Sequence, residues 1–270
     1  MASFGSIPKI SELLALRNTA GIGYLNSRLS FGATVGWVYN RNVFQAPYIF
    51  QSNPILAGLK TSLDLRTSGY GLNESFGLIY RPSRKLEWGL SYQTPTVIQS
   101  RGQANGNAQQ QFRSLGLNFR PDFTYQAQVE TRLPRSVTAH AGWQVNTRLR
   151  AGVQVNWIGW SRAFDKLRVA LRNGNNTDIN AFTGSTSLFD SVPLLWRNQA
   201  VVRLGLEYAV GESGFLRAGY SHASNPVPSS TLTPLTASIF SNAISAGWDT
   251  GMAAIQSIPL TCFSRMQHSR

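Results

Sequence analysis

Apolar and polar residues alternate with period two along most of the chain, the signature of strands with one apolar and one polar face. From Leu29 one parity reads Leu29, Phe31, Ala33, Val35, Trp37, Tyr39, and the other Ser30, Gly32, Thr34, Gly36, Val38, Asn40. The same split recurs from Leu86 (Leu86, Trp88, Leu90, Tyr92), from Ser136 (Val137, Ala139, Ala141, Trp143, Val145), from Leu149 (Leu149, Ala151, Val153, Val155, Trp157) and from Val202 (Val202, Leu204, Leu206, Tyr208). Nine strands are expected, at roughly 14–25, 28–40, 62–81, 86–101, 122–146, 149–163, 197–210, 214–224 and 240–249. Many exceed the five or six residues usual in soluble sheets.

The connections alternate between short and long. Tight turns are expected at Asn26-Ser27, Pro82-Ser83-Arg84, Asn146-Thr147-Arg148 and Gly211-Glu212-Ser213, and long loops at about 41–62, 102–121, 165–196 and 225–239. In a transmembrane barrel the tight turns face the periplasm and the long loops face outside. Leu133-Pro134-Arg135 resembles a further turn, but counting it as one puts the 165–196 loop on the wrong rim. The consistent reading is one strand from Asp122 to Asn146, kinked where Pro134 cannot donate to the ladder. Phe123, Tyr125, Ala127 and Val129 share parity with Val137, Ala139 and Trp143, so the apolar face is expected to continue across the proline. The expected fold class is therefore all-β, an antiparallel transmembrane β-barrel. Residues 1–13 read as a leader without a signal peptide, 14–250 as the barrel strands, and 251–270 as an atypical tail or degraded strand. Short helices are possible at Pro54–Leu59 and Ile179–Phe182.

Composition narrows the class. Only 14% of residues are charged, against roughly 25% in an average soluble domain, while 42% are hydrophobic, too many for a disordered polycation. No apolar run reaches the roughly 18 residues of a membrane-spanning helix. Trp37, Tyr39, Tyr80, Trp88, Trp143, Trp157, Trp160, Trp196, Tyr208 and Tyr220 suit the aromatic girdles of a barrel; the plainer alternative is the core of a soluble β-sandwich. The net charge of +13 comes from 21 Arg and 4 Lys. Its scatter along strands argues against nucleic acid as a partner, which calls for a basic face. Arg28, Arg81, Arg84, Arg148 and Arg150 gather near one rim, as interface anchors, as contacts to lipid phosphate, or as part of a wet, basic lumen.

Catalytic signatures are sparse. His140 and His222 could serve as a base in a barrel-embedded lipid-modifying enzyme only with a serine in reach, and Ser136 lies about 13 Å from His140 along a strand. The 173–178 oxygen cluster, Asn-Gly-Asn-Asn-Thr-Asp, has too few carboxylates for Ca²⁺. Cys262 alone makes no disulfide framework. No enzymatic activity and no cofactor are expected. The stretches read as external loops are instead unusually apolar. Phe44, Tyr48, Ile49, Phe50, Ile55, Leu56 and Leu59 form one cluster; Phe164, Leu167, Phe182, Leu188 and Phe189 form another. General porin loops should be polar, so these residues are expected to line a groove for a hydrophobic ligand, with Phe50 or Leu56 facing the cleft, or else to pack the loops together.

Arg81-Pro82 followed by Leu90-Ser91-Tyr92-Gln93-Thr94-Pro95, the Trp157-Ile158-Gly159-Trp160-Ser161 stretch, and above all Leu216-Arg217-Ala218-Gly219-Tyr220 leading to Asn225-Pro226-Val227-Pro228 and Leu232-Thr233-Pro234 resemble the FadL-type outer-membrane transporters of long-chain fatty acids and other hydrophobic compounds. The resemblance covers about residues 19–248. It implies a fourteen-stranded barrel with an N-terminal plug and a lateral opening. Ligand would be captured between external loops and taken up passively, without catalysis. Against that pattern this chain reads as a fragment, a partial barrel of about nine or ten strands, open at both edges. Its partners would be membrane lipid and a hydrophobic small molecule such as a long-chain fatty acid, and its state monomeric. A general porin and a lipid-modifying enzyme are the alternatives.

Overall fold

The computed structural model describes residues 10–232 and 241–250; the segments read as leader start and C-terminal tail, with Cys262, Thr233 and Pro234, lie outside them. The strands are β1 (Ile10–Leu25), β2 (Leu29–Ile49), β3 (Lys60–Ser83), β4 (Leu86–Gln93), β5 (Thr96–Asn107), β6 (Asp122–Leu133), β7 (Ser136–Gln144), β8 (Leu149–Ile158), β9 (Lys166–Arg172), β10 (Leu188–Pro193), β11 (Gln199–Val210), β12 (Gly214–Ala223) and β13 (Asn242–Thr250). Three short α-helices, α1 (Gln109–Ser114), α2 (Trp160–Ala163) and α3 (Thr177–Thr183), and a 3-10 turn at Ser229–Thr231 lie between them.

All thirteen strands belong to one antiparallel sheet. They make nine passages, because four pairs are continuations. β4 runs on into β5 along one side of β3, β6 into β7, β8 into β9, and β10 into β11. Among the described residues β1 pairs only with β2 and β13 only with β12, so the sheet is an unclosed partial barrel. Tight turns join the passages at one rim and the longer loops at the other.

The passages are longer than the alternation suggested. β2 runs to Ile49, β3 begins at Lys60, β5 reaches Asn107, and β9 and β10 occupy much of the 165–196 stretch. Three of the external loops are correspondingly shorter, at 50–59, 108–121 and 173–187. Phe44, Tyr48, Ile49, Leu167, Leu188 and Phe189 are therefore strand residues rather than loop residues. Pro54–Leu59 forms turns, not a helix, whereas Ile179–Phe182 lies in α3.

Pro134 kinks one passage as expected, but the apolar face does not continue across it. Leu133 pairs with Thr96 and Ser136 with Gln93, and all four face the lumen. The two-residue breaks at 94–95 and 134–135 lie side by side and shift the alternation by one in both strands. Val137, Ala139 and Trp143 thus face outward, while Phe123, Tyr125, Ala127 and Val129 point inward and are buried. Pro95 and Pro134 lack N–H groups, which favours a break at these places. Asn73 spans the first break, donating from Nδ2 to the Thr94 carbonyl (3.0 Å) and to Thr96 Oγ1 (2.8 Å).

The breaks, continued at 159–165 and 194–198, divide the sheet into two zones of opposite polarity. On the periplasmic side the outer face is apolar: Leu29, Phe31, Val35, Trp37, Leu72, Leu78, Trp88, Leu90, Leu204 and Leu206 are exposed on it, interrupted by Asn18 and Glu74. Its inner face carries Ser30, Asn73, Glu87, His140, Gln154, Arg203 and Glu207. On the external side the outer face is polar, with Gln99, Arg101, Gln103, Gln126, Gln128 and Glu130. There the inner face is apolar: Leu63, Leu65, Ala104, Phe123, Tyr125, Ala127, Val129, Val169, Leu171 and Leu188 form the main core of the protein. The first zone suits hydrocarbon outside and water inside; the second has the polarity of a water-soluble domain.

Candidate functional site

The external ends of β2, β3, β5, β6, β9 and β10 curl into a ring whose gap, from β10 back to β2, is closed mainly by one carboxylate, with Ser191 N–H donating to Ser52 Oγ (2.7 Å) and Asn53 Nδ2 to the Phe189 carbonyl (3.4 Å) beside it. Asp190, 5% exposed, points inward from β10. Its carboxylate accepts hydrogen bonds from the backbone N–H groups of Gln51 (3.1 Å), Ser52 (2.7 Å) and Asn53 (3.2 Å), from Ser52 Oγ (2.8 Å) and from the Tyr48 hydroxyl. Burial alone pushes the Asp190 carboxyl up, but the bonds from Tyr48, Ser52 and Gln51 outweigh it and hold the group below its ordinary 3.8. The Tyr48 hydroxyl is pushed well above 10, first by burial and then by Asp190.

Of the three loops above this ring, the first is bonded within itself and the other two are bonded to each other. Asn53 Oδ1 accepts from Ile55 and Leu56 N–H, both at 3.0 Å. Gly58 N–H bonds back to the Phe50 carbonyl at 2.9 Å, and its φ of +85° is one that a residue without a side chain adopts freely. Asn176, fully buried, caps α3 by accepting from Ile179 N–H (2.9 Å) and donates to the carbonyls of Arg120 and Asp122 (2.7 and 2.9 Å). Asp178 accepts from Arg120 N–H at 2.7 Å. The 173–178 cluster is thus occupied in turn and cap bonds, and among the described residues no group of side chains is set to hold a metal.

Between the loops lies an apolar cavity of about 310 Å³. Phe50, Ile55, Leu56, Leu59, Phe182 and Leu188 line it, so residues from both sequence clusters meet at the external rim. Phe44, Tyr48 and Leu167 pack against the core around it. The remaining three sequence candidates lie elsewhere. Ile49 and Phe189 sit at exposed positions, and Phe164 packs against Trp160 and Trp196 at the break in the sheet, with ring centroids 5.1 and 4.7 Å away. The cavity also takes Phe112, Leu115, Leu117, Phe119, Phe123, Tyr125 and Ile179, which the sequence clusters did not include. Phe112, Phe119 and Phe182 make a chain of edge-to-face rings at 5.5 and 6.1 Å. The usable signal was the spacing of Phe112, Leu115, Leu117 and Phe119, four large apolar residues within a presumed polar loop. Its lining holds no charged side chain; the polar groups are Gln111 and Tyr125, whose hydroxyl burial raises to about 12.

Lower in the lumen, charges of alternating sign cross the sheet near the periplasmic rim. Glu87 contacts Arg81 (2.8 Å), His140 (3.6 Å) and Arg150 (4.0 Å), and Arg217 contacts Glu207 (2.7 Å) and Asp249 (3.3 Å). Of the readings for the basic rim, Arg81 and Arg150 therefore follow that of a basic lumen and not that of a lipid headgroup contact. His140 meets a carboxylate and His222 meets Asn242 Oδ1 (2.9 Å); among the described residues neither hydrogen-bonds a serine.

Residues 11–247 match the family model described as outer membrane protein transport protein (OMPP1/FadL/TodX). No curated protein sequence matches the chain. Among solved structures, the fold is similar to that of the Ralstonia pickettii toluene transporter TbuX (TM-score 0.68, 18% identity, 90% of this chain and 60% of that one). It is also similar to the Pseudomonas putida toluene transporter TodX (0.67, 19%, 92% and 62%) and to a Pseudomonas aeruginosa FadL homologue (0.65, 17%, 83% and 52%). The chain spans less than two thirds of the length of each. With the family match covering most of its length, the chain belongs to the OMPP1/FadL/TodX family of bacterial outer-membrane transport proteins.

Proposed function

We propose that the apolar cavity at the external rim captures small hydrophobic molecules as the first step of their passive uptake across the outer membrane. The carrying observation is the cavity's lining, predominantly aromatic and aliphatic, between three external loops. At about 310 Å³ it sits at the low end of the roughly 300–1,000 Å³ typical of small-molecule sites. A neutral ligand of about one aromatic ring suits it best. No charged group in the lining could pair with a carboxylate, and burying an unpaired charge costs far more than the apolar contacts return. The relatives named as toluene transporters agree with this choice. A long-chain fatty acid is the second reading; its acyl tail gains about 0.8 kcal/mol per buried CH₂, with the carboxylate left outside the cavity.

Reconstitution in liposomes with toluene or oleate supplied outside tests both. Phe182→Asp places a carboxylate on a lining residue that is 54% exposed, so the substitution leaves the core intact. Toluene binding weakened by about tenfold or more, with unchanged circular dichroism, is the expected result. Unchanged binding would leave these residues a packing role only. Oleate uptake without toluene binding would favour the second reading.

A further inference from the structure

We propose that the external zone of the sheet carries a binding face for the phosphate groups of outer-leaflet glycolipid. The outward positions just above the breaks are held by Arg41 on β2, Arg66 on β3, Arg101 on β5, Arg132 on β6, and Arg168 and Arg172 on β9. Strand pairing places them on one continuous surface. Arg41 and Arg101 flank Ser68 from its two sides, and Gln128, the partner of Arg101, is paired in turn with Ala170, between Arg168 and Arg172 on the same face.

The height of this surface identifies its occupant. On β2 and β3 the outward pair immediately below Arg41–Ser68 is Tyr39–Tyr70, whose rings lie 5.2 Å apart. Below it come Trp37 and Leu72, both more than half exposed on the apolar outer face. Aromatic rings at the boundary followed by cations mark where hydrocarbon gives way to headgroups. The rim is the one bearing the long loops, so the headgroups belong to the outer leaflet. The arginines face away from the lumen and are not spent on a transported molecule.

Charge also favours an anionic occupant. Asp64 pairs with Arg66 (3.0 Å), and Glu130 takes both Arg132 (2.8 Å) and Arg168 (3.0 Å). Glu12 on β1, opposite Val43, and Asp122 at the external end of β6, which accepts from Asn107 Nδ2 (2.7 Å), are the further carboxylates of this face. Among the described residues Arg41, Arg101 and Arg172 have no carboxylate in contact, and Lys166 adds a further cation near the breaks. Guanidinium groups bind phosphate oxygens in bidentate fashion, which suits a phosphorylated headgroup better than a zwitterionic one. Side chains anchored on a rigid ladder offer that fork without ordering a loop.

Native mass spectrometry of the purified protein in dodecyl maltoside tests the assignment, with lipid A carrying two phosphates, the same lipid with its phosphates removed, and phosphatidylcholine as probes. The expected result is a preference of about tenfold or more for the phosphorylated lipid. That preference should be lost in R41Q/R101Q/R172Q and kept in R28Q/R84Q/R148Q, which removes three cations from the opposite rim. Equal binding of the two forms of lipid A by the unmodified protein overturns the proposal without reliance on any variant's folding. So does displacement of lipid A by millimolar inorganic phosphate, which would reveal a general anion surface.

Discussion

Asp190→Ala removes the largest set of bonds that closes the external ring and leaves those of Ser191 to Ser52 and of Asn53 to the Phe189 carbonyl in place. The carboxylate holds three successive backbone N–H groups and two hydroxyls. Hydrogen bonds to a charged group contribute about 1.5–3 kcal/mol each when their donors are left dry, but residues 51–53 can reach water by peeling from β10. Opening therefore caps the loss, and about 3 kcal/mol is expected, close to the cost of breaking a buried charged contact. That corresponds to a rise of about a hundredfold in hydrogen exchange at the Gln51, Ser52 and Asn53 amides. The bonds of Gly58 N–H to the Phe50 carbonyl and of Phe50 N–H to the Leu59 carbonyl do not involve Asp190, so exchange at Phe50 and Gly58 should change much less. Exchange monitored by mass spectrometry reads both sites at once. Because the Asp190 carboxyl is held below 3.8, the latch is complete at neutral pH, begins to weaken as pH falls past the unfolded value, and is lost through the lower native value. Acidification of the unmodified protein should thus reproduce the variant's exchange pattern only below about pH 4. Unaltered exchange at 51–53 in Asp190→Ala would refute the latch.

Two further substitutions probe the membrane zone. Glu87→Gln leaves Arg81, His140 and Arg150 without their shared anion; a loss of about 1 kcal/mol is expected, visible as a lower Tm in low salt and diminished in high salt, where the repulsion between cations is screened. Asn73→Ala removes both bonds across the 94–95 break from a residue that is 2% exposed, and a loss of about 1–2 kcal/mol should appear in a denaturant titration; an unchanged midpoint would mean that the backbone alone holds the break.

The nine passages were legible because alternation with tight turns has few other solutions, and the reading of Pro134 as a kink followed from the order of short and long connections. The face swap was hidden because alternation records relative phase only. Phe123 to Val129 and Val137 to Trp143 have the same parity, yet an uncounted shift at 134–135 sends one set to the core and the other to lipid. A trace remained in the intervening residues. Thr124, Gln126, Gln128, Glu130 and Arg132 are too polar for contact with hydrocarbon, whereas Ser136, Thr138 and Gly142 are small enough to line a lumen. The external strand ends were mistaken for loops for a related reason, since Phe44, Tyr48 and Leu188 face inward where a membrane barrel should be polar. The cavity was half legible: Phe50 and Leu56 stood out as large apolar residues in a stretch read as an external loop, while Phe112 and Phe119 reach it only through the folding of the 108–121 loop over the ring.

The swap of polarity also fixes how deep the sheet sits in its bilayer. From Leu29 to Tyr39 the outward residues of β2 span about 34 Å along the strand, or about 26 Å along the membrane normal at a tilt near 40°. This equals the apolar height of a typical outer-membrane barrel, roughly 25 Å. A uniform barrel could slide by one residue pair and exchange one aliphatic side chain for another. Here, an inward slip of that size drags Arg41 and Arg101 into hydrocarbon, and an outward slip lifts Tyr39 and Tyr70 clear of the interface while drawing the periplasmic turn with Arg28 into the membrane. Thickening of the bilayer has the same effect at the external edge, so it should be met by local thinning of lipid rather than by movement of the protein. The external cavity is therefore carried at a set distance from the surface, with its three loops held clear of the acyl chains.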